Sequence, residues 1–341
     1  MSDNAWIEAV RDGVQTRLAQ YFADKRQEAE GISPESLALV EAVEALTMRG
    51  GKRLRALVLV AAYRALSGRA PMPTCASLCA ALELLQSYLL IHDDWMDGDA
   101  ERRGGPAVHI ALEQRYGSRH LGESLAILAG DLGAVYALEL FADAPFSPAR
   151  QAEALQYFLR IHKEVFFGQQ LDLLQSSDVE RMHQLKTGSY TVRGPMHLGA
   201  LLADASPAQL EALDAFSRPL GQAFQLRDDL LGTFADQGIG KPIGNDLRAG
   251  KHTAVIAAAV KVLEPAQKAE LDAVLGRADA SDAQVREVTT MLEAAGVRQT
   301  VEAQLATLMR QAESVLQQGV FDSEQQPLLW QAAQLLVQRW F

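Results

Sequence analysis

Residues 78–99 read LCAALELLQSYLLIHDDWMDGD, and this stretch decides the predicted fold. Its first fourteen residues carry a single charge, that of Glu83. A helix that is apolar almost all round belongs inside a protein, so we predict a central helix of a bundle. Residues 54–66 and 121–141 have the same character. Several such helices indicate a fold built by packing helix on helix.

The rest of the chain is also helical by pattern. Ala, Leu, Glu, Gln and Arg dominate long stretches, and alternating strand patterns are nearly absent. Gly- and Pro-containing loops separate the helices near residues 67–73, 104–106, 144–148, 206–207 and 264–265. Residues 265–341 are amphipathic and indicate an outer layer of helices. We find no repeat or flexible linker and predict one all-α domain over residues 1–341, a single large helical bundle.

The composition excludes several classes of protein. The chain has 341 residues, and its net charge of −11 argues against nucleic acid or an anionic membrane as the main partner. Cys75 and Cys79 are the only cysteines, too few for a disulfide framework, and they suit one face of a helix. Without a signal-peptide pattern or a run of about 18 uncharged apolar residues, we expect a cytoplasmic protein with no membrane span.

The apolar helix ends in a cluster of carboxylates between residues 93 and 99. Such groups are costly at the end of a buried helix unless a cation compensates them. Asp93 and Asp97 are one turn apart and project from one face. Oxygen ligands suit Mg²⁺ when phosphates complete its shell. A solvated acidic helix end is the alternative, but carboxylates near a helix C-terminus oppose the macrodipole.

A second pair of aspartates lies in residues 224–232, which read FQLRDDLLG. Gln225 precedes Asp228 by three residues and Asp229 by four, so the three share a face. One such pair is more often a surface feature. Two pairs, each in a Leu-rich helix, favour several Mg²⁺ ions that hold a diphosphate between them.

Basic residues complete the pattern. Residues 49–55, RGGKRLR, open an apolar helix, where glycines and a helix N-terminus favour an anion. This is not a nucleotide P-loop, because Arg53 rather than Ser or Thr follows Lys52. A loop at 238–250 with four glycines is typical of a lid or a binding loop. Further cations stand at Arg102, Arg103, Lys186, Lys241 and Lys251. Each alone suits a solvated surface, but together they predict two phosphate sites and two diphosphate substrates.

In order and spacing these motifs resemble those of the trans-isoprenyl diphosphate synthases, which include farnesyl and geranylgeranyl diphosphate synthases. The likeness covers about residues 45 to 255 and rests on Gly50-Gly51-Lys52-Arg53-Leu54-Arg55, Gln86, Asp93-Asp94-x-x-Asp97, Arg102-Arg103-Gly104, Lys186-Thr187, Gln225, Asp228-Asp229, Lys241 and Lys251. It implies an isoprenoid-synthase bundle around a deep central cavity and a homodimer. The implied activity is that of a prenyltransferase, which condenses isopentenyl diphosphate head-to-tail with an allylic prenyl diphosphate.

The resemblance also implies a role for each matching residue. Asp93, Asp97 and Asp228 would bind Mg²⁺, three ions with diphosphate bound, while Asp94 and Asp229 would assist. The groups that would bind the allylic diphosphate and face its reacting carbon are Arg102, Lys186, Thr187, Gln225, Lys241 and Lys251. Isopentenyl diphosphate would be bound by Lys52, Arg55, Gln86 and Arg103. The implied catalytic set is Asp93, Asp94, Asp97, Lys186, Thr187, Gln225, Asp228 and Asp229.

The sequence departs from the family pattern at one position. Gly232 stands where many members have a third aspartate in the second motif. Some bacterial members share this feature, so we expect activity to be retained. Asp236 and Asp246 are candidates to replace the missing carboxylate.

Tyr88 and its neighbour Leu89 are the predicted determinants of product length. Tyr88 lies five residues before Asp93, roughly 7 Å deeper along the helix. A tyrosine there either forms a floor that stops the growing chain or simply packs in the core. In the family an aromatic residue at this place accompanies fifteen- or twenty-carbon products. We therefore expect farnesyl or geranylgeranyl diphosphate, with a preference for the latter.

The sequence supports three other functions less well. A terpene cyclase binds a single diphosphate and does not need Lys52, Arg55 and Arg103. A phosphohydrolase with a His-Asp metal motif needs an upstream histidine, but His92 is the first histidine in the chain. A non-catalytic subunit of a heteromeric prenyl synthase is expected to lose the aspartates that this chain keeps.

Overall fold

The computed structural model describes residues 5–176, 178–234 and 244–337. The chain forms two compact units. Unit 1 consists of Met1–Leu155 and Leu198–Ala205, and unit 2 of Gln156–His197 and Ser206–Phe341. The prediction of a single domain over the whole chain stays a prediction.

Helices dominate the first part of the chain. They are α1 (Ala5–Ile32), α2 (Leu37–Met48), α3 (Leu54–Ser67), α4 (Ala76–Asp97), α5 (Val108–Tyr116), α6 (Arg119–Ala142) and α7 (Gln151–Leu173). A 3₁₀ turn, Pro34–Ser36, lies between α1 and α2. Strands β1 (Glu101–Arg102) and β2 (Gly105–Pro106) pair antiparallel between α4 and α5.

The remaining elements are also helical. They are α8 (Val179–His183), α9 (Gly194–Leu202), α10 (Pro207–Phe234), α11 (Asn245–Arg248), α12 (Ala254–Val262), α13 (Pro265–Asp272), α14 (Asp282–Ala294), α15 (Val297–Leu316) and α16 (Gln325–Val337). A π-helix, Gln184–Arg193, connects α8 to α9. Within the described residues β1 and β2 are the only strands, which confirms the all-α fold class.

Helices α4 and α6 pack closely in unit 1. Glycines on α6 permit this approach, because a Cβ at Gly133 would lie 2.9 Å from the Cβ of Tyr88. A Cβ at Gly130 would lie 2.1 Å from Nε2 of His92. Most apolar side chains of α3, and of α4 up to Ile91, are buried as the sequence predicts, whereas Trp95 and Met96 near the end of α4 are exposed. The acidic end of α4 therefore follows a closely packed part of unit 1.

Helix α6 differs from the prediction of a helix buried on all sides. It exposes apolar residues at a spacing of seven, with Leu121, Leu128 and Val135 exposed by 41%, 51% and 50%. By length and hydropathy it is the one helix in the described part of the chain that could cross a bilayer. Its apolar window is 44% buried, as in many core helices, so this property alone does not indicate a membrane span.

Unit 2 is built around α10, which packs against α15 and the π-helix. A buried apolar cluster joins the end of α10 to the helices that follow it and includes Leu230, Leu247, Val255, Val288 and Leu292. The helix α11 lies inside the segment 238–250 that the sequence predicts to be a loop. This packing fixes the part of α10 that carries the second pair of aspartates.

Candidate active site

The basic segment between α2 and α3 has an unusual backbone. Gly50 and Gly51 have φ values of 86° and 135°, and Arg53 has a φ of 51°. Arg49 fixes the segment to the hairpin, because its Nη1 donates to the carbonyl oxygens of Arg102 at 3.2 Å and Pro106 at 2.7 Å. Two motifs that are fifty residues apart in sequence are thus held together.

The hairpin presents Arg103 at its turn. Arg103 and Gly104 have φ values of 53° and 71°, as a two-residue type I′ turn requires. The Cζ atom of Arg103 lies 3.7 Å from the place of a Cβ on Gly51. Burial lowers the pKa of Arg103, and the nearby Arg53 and Arg55 lower it further against the effect of Glu83. The structure therefore brings Arg55 and Arg103, both predicted to bind isopentenyl diphosphate, into one cationic cluster.

Lys52 and Gln86 are the other two residues of that predicted set. Lys52 is half-buried and lies directly after Gly51. Gln86 is half-buried in the middle of α4. Both keep part of their surface accessible, as ligands of a substrate need.

The first acidic motif lies at the C-terminus of α4. The helix ends at Asp97 because Gly98 takes a left-handed conformation, φ 70°, and its N–H donates to the carbonyl of Asp94. The carboxylate of Asp94 is buried and accepts a hydrogen bond of 2.7 Å from Nε of Arg102. Burial raises the pKa of Asp94 to about 6, although the guanidinium opposes this shift. Asp93 is half-buried and Asp97 is exposed.

Arg102 joins two carboxylates of this motif. Its Nη2 contacts Asp94 and also lies 2.9 Å from Oδ2 of Asp99. Asp94 thus orients a residue that the resemblance assigns to the allylic diphosphate. Asp93 and Asp97 retain the exposed surface that a metal ion with bound phosphates would need.

The second acidic motif, on α10, also contains one accessible and one buried aspartate. Asp229 is buried and accepts hydrogen bonds of 2.8 Å from Nε2 of Gln225 and from the N–H of Ala254. Burial raises the pKa of Asp229 to about 7. Asp228 is exposed. In each pair, the first aspartate is accessible and the second is buried and held by neighbouring groups.

Asp246 lies beside Gly232, the position where the third aspartate is missing. A Cβ on Gly232 would lie 1.8 Å from Oδ2 of Asp246. Asp246 also adds to the electrostatic field that raises the pKa of Asp229. Of the two predicted substitutes, Asp246 therefore reaches the motif, while Asp236 lies outside the described residues.

Lys186 and Thr187 lie in the π-helix, both half-buried. Nζ of Lys186 donates to Oδ2 of Asp172 on α7 at 2.5 Å. The two elements approach closely, because a Cβ on Gly168 would lie 2.3 Å from the backbone N of Lys186. Burial lowers the pKa of the nearby His183 to about 4. π-Helices are often found at functional sites, which agrees with the role predicted for these residues.

Of the two remaining cations, Lys241 belongs to the glycine-rich segment and Lys251 follows it directly. Lys251 is exposed, and its Nζ lies 3.8 Å from Oδ1 of Asp246. Lys251 is thus close to the second acidic motif through Asp246. Lys241 lies outside the described residues, as does much of the predicted lid.

The ring of Tyr88 is buried in unit 1. Its centroid lies 6.3 Å from that of His92 in an edge-to-face arrangement. The next residue, Leu89, is half-buried. Both the floor and the core-packing interpretations of Tyr88 agree with this burial.

The carboxylates suit Mg²⁺ only together with a phosphate ligand. Among the described residues, no group of three or more His, Cys, Asp or Glu side chains could hold a metal ion. Mg²⁺ in phosphate-handling proteins characteristically uses one or two carboxylates together with substrate oxygens. The accessible pair Asp93 and Asp97, and the single accessible Asp228, fit that mode of binding.

Unit 2 also contains a cavity of about 1420 Å³. It lies among α8, the π-helix, α10, α12 and α15, and Gln225 and Gly188 contribute to its wall. The π-helix and α10 meet here through glycines, since a Cβ on Gly221 would lie 3.2 Å from the Cα of Gly188. Gln225, which also donates to Asp229, thus connects the acidic motif to this space.

Comparison with known proteins identifies the family of the chain. The family model for polyprenyl synthetase matches residues 37–292, which include both acidic motifs, the basic segment and the π-helix. The chain belongs to the polyprenyl synthetase family. This result confirms the resemblance and the prenyltransferase class predicted from the motifs.

Individual members of this family are similar over most of the chain. A short chain isoprenyl diphosphate synthase from Methanocaldococcus jannaschii is 34% identical over 263 residues, 75% of this chain and 76% of that protein. A farnesyl diphosphate synthase from Geobacillus stearothermophilus is 34% identical over 267 residues, 74% of this chain and 83% of that protein. The structure of a Corynebacterium glutamicum geranylgeranyl pyrophosphate synthase, complexed with isoprenyl diphosphate and magnesium, has a TM-score of 0.89. It is 30% identical and covers 98% of this chain and 99% of its own.

The sequence did not indicate the partners that hold the predicted residues. Asp172 pairs with Lys186, Arg49 supports the hairpin, and Glu83 lies beside the basic segment. Glu83 was detectable as the single charge in an apolar helix. Asp172 and Arg49 carry no such signal, because a charge on an amphipathic helix or in a loop is ordinary.

Proposed function

We propose that this chain catalyses the Mg²⁺-dependent head-to-tail condensation of isopentenyl diphosphate with an allylic prenyl diphosphate. The observation that carries this proposal is the same arrangement of two aspartates in both acidic motifs. A buried aspartate is fixed by hydrogen bonds, and an accessible aspartate stands before it. The presence of magnesium and isoprenyl diphosphate in the Corynebacterium glutamicum relative supports the same assignment.

Asp93, Asp97 and Asp228 would hold Mg²⁺ together with the allylic diphosphate. When bound, Mg²⁺ neutralises the diphosphate and makes it a better leaving group. Asp94 keeps Arg102 in place, and Gln225 is oriented by Asp229. Arg102, Lys186, Lys241 and Lys251 then contribute positive charge toward the same diphosphate.

The reaction needs no side-chain nucleophile. The allylic C–O bond breaks, and its electron pair leaves with the diphosphate. The double bond of isopentenyl diphosphate attacks the allylic carbon and forms the new C–C bond. A proton is then lost from the resulting cation to the released diphosphate. Lys52, Arg55, Gln86 and Arg103 bind isopentenyl diphosphate, while apolar helices exclude water that would trap the cation.

The active protein is proposed to be a homodimer. Helix α6 supports this, because Leu121, Leu128 and Val135 form an exposed apolar stripe at heptad spacing. A stripe of this kind suits a second copy of the same helix packed across a two-fold axis. The proposed products are geranylgeranyl or farnesyl diphosphate, made in the cytoplasm.

A product assay tests this function. Purified protein receives Mg²⁺, isopentenyl diphosphate and, separately, the five-, ten- and fifteen-carbon allylic diphosphates. We expect a product ladder that ends at fifteen or twenty carbons and disappears with EDTA. Asp93→Asn should lower the rate by at least about two orders of magnitude. If no primer leads to consumption of isopentenyl diphosphate, the proposal fails. Cyclisation of one prenyl diphosphate, or activity only with a second subunit, would then be tested.

A further inference from the structure

Glu83 and Arg53 form an ion pair inside unit 1, although the proposed chemistry uses neither. Nη1 of Arg53 donates to Oε2 of Glu83 at 2.5 Å, and the two side chains are only 3% and 2% exposed. Nη2 of Arg53 donates to the carbonyl of Thr47 at 3.0 Å and to Oε1 of Gln15 at 3.3 Å. One guanidinium thus joins the start of α3 to α1, α2 and α4.

Stability alone does not explain this arrangement. The cost of desolvating two charges offsets most of their attraction, so a buried ion pair adds little net stability. Arg53 also has a left-handed backbone, φ 51°, which is strained for a residue with a side chain. The left-handed conformation of Arg53 has a purpose if the backbone of the basic segment has to follow one particular path. The turn at Arg53 directs its side chain into the interior of unit 1, immediately after Lys52.

The neighbours of the ion pair are the cations of the proposed isopentenyl diphosphate site. Arg53 and Arg55 both lower the pKa of Arg103, whereas Glu83 raises it. Glu83 therefore acts on Arg103 as well as on Arg53. Its Oε1 atom is buried and accepts no hydrogen bond from the described part of the chain. One carboxylate lies among three guanidiniums, which leaves net positive charge for a diphosphate.

We propose that the Glu83–Arg53 ion pair positions the isopentenyl diphosphate site. Arg53 lies within the basic segment but points into the interior, and Glu83 holds it there. Lys52, Arg55 and Arg103 are thereby placed to meet the diphosphate of isopentenyl diphosphate. This inference rests on the proposed function. Glu83 and Arg53 act through other residues and are positioning residues for the second substrate, not ligands of it.

Glu83→Gln tests this role, because it removes the charge and keeps the volume. The KM for isopentenyl diphosphate should rise about tenfold, while the KM for the allylic diphosphate and kcat change less than about twofold. Arg53→Lys should act in the same direction, since one ammonium cannot replace a guanidinium that serves three acceptors. The double variant should be no worse than the more severe single variant, because both residues belong to one unit.

Glu44→Gln is the matched control. It removes a carboxylate of unit 1 that pairs with Arg26 on α1, and both KM values should stay unchanged. Thermal unfolding identifies variants that are damaged overall, and Arg53→Lys keeps the test open if Glu83→Gln does not fold.

Three results would contradict the proposal, and they differ in what they overturn. An equal rise of both KM values would indicate a purely structural ion pair. A lower KM for isopentenyl diphosphate in Glu83→Gln would mean that Arg53 is itself a ligand for which Glu83 competes. Either result overturns the positioning role and leaves the proposed function intact. A wild-type protein that consumes no isopentenyl diphosphate overturns the proposed function and this inference with it.

Discussion

The carboxylate of Asp246 occupies the space beside the Cα of Gly232. A Cβ on Gly232 would lie 1.8 Å from Oδ2 and 2.5 Å from Cγ of Asp246. In many family members the residue at position 232 is itself an aspartate. Here the carboxylate of Asp246 reaches the same place from α11 instead of α10. The second acidic motif therefore has a third carboxylate although Gly232 has no side chain.

A side chain at position 232 must displace Asp246. In Gly232→Ala the end of the Asp246 side chain has to move, which should offset the roughly 0.5–1 kcal/mol that alanine gains over glycine inside a helix. Gly232→Asp should cost more, since two carboxylates then compete for one place. Adding Asp246→Gly should recover part of that loss. Urea unfolding without Mg²⁺ measures each value, and a Gly232→Ala variant about 1 kcal/mol more stable than wild type would contradict the clash.

Arg102→Lys should lower both the stability of the protein and its affinity for the allylic diphosphate. A lysine cannot present the two nitrogens that reach Asp94 and Asp99, so buried Asp94 loses hydrogen bonds. We expect a loss of about 1–3 kcal/mol in the free energy of unfolding. The KM for the allylic diphosphate should rise about tenfold or more. Arg115→Lys is the control, because its pair with Glu41 is exposed and should contribute less than about 1 kcal/mol.

Tyr88→Ala should lengthen the product. Removing a buried ring next to the first acidic motif leaves space into which a growing chain can extend. Phe141→Ala is the control, because it also empties a buried aromatic position of unit 1. Both variants should lose about 3–5 kcal/mol of stability. Mass spectrometry of the products, at a temperature where both are folded, should show longer chains only for Tyr88→Ala. An unchanged ladder would identify Tyr88 as core packing.

Leu128→Asp and Val135→Asp should dissociate the proposed dimer. A charge in the middle of an apolar interface is costly unless it finds a partner. Light scattering coupled to gel filtration should show the monomer mass for both variants. Ile32→Asp, at an exposed site at the end of α1, should keep the wild-type mass. A monomeric wild-type protein, or dimers of unchanged stability in both variants, would exclude α6 as the interface.

His183 should lower the stability of the wild-type protein in acid relative to a variant without this histidine. Burial lowers its pKa from 6.5 to about 4, and Lys186 lowers it too, while Asp172 raises it. The unfolded chain therefore takes up a proton before the folded one does. The contribution of His183 is complete above about pH 6.5 and is lost as the pH falls towards 4. The melting temperature of Mg²⁺-free His183→Gln should fall less than that of wild type over this range. Parallel curves would contradict the shift.

The sequence predicted the parts of the fold that depend on composition along one helix. Apolar residues at 54–66 and 78–91 correspond to the buried helices α3 and α4. The sequence also predicted that this helix ends in the acidic cluster, and α4 ends at Asp97. Helix α6 was predicted to be buried all round, but hydrophobicity alone does not distinguish a core face from a face that awaits a partner.

Local features with no periodic signal were missed. Strands of two residues are too short for an alternating pattern, so the hairpin around Arg103 was not visible. The π-helix has the composition of an ordinary helix, and α11 lies in a segment whose glycines suggested a loop. The hydrogen bonds from Arg102 to Asp94 and from Lys186 to Asp172 depend on tertiary packing. For this reason the sequence yielded the candidate residues but not the groups that orient them.

The orientation of Lys186 and Thr187 depends on the number of residues in the π-helix. The N–H of Gly194 bonds to the carbonyl of Ser189, five residues earlier, so this hydrogen bond spans one residue more than the corresponding bond in an α-helix. Deleting one residue between Ser189 and Arg193 would allow an α-helical register and rotate Lys186 and Thr187 by about 100° relative to α9. Both residues would still be present in the sequence, but their side chains would point in a different direction. Spacing at this point is thus as much a determinant of the site as the identity of any amino acid in it.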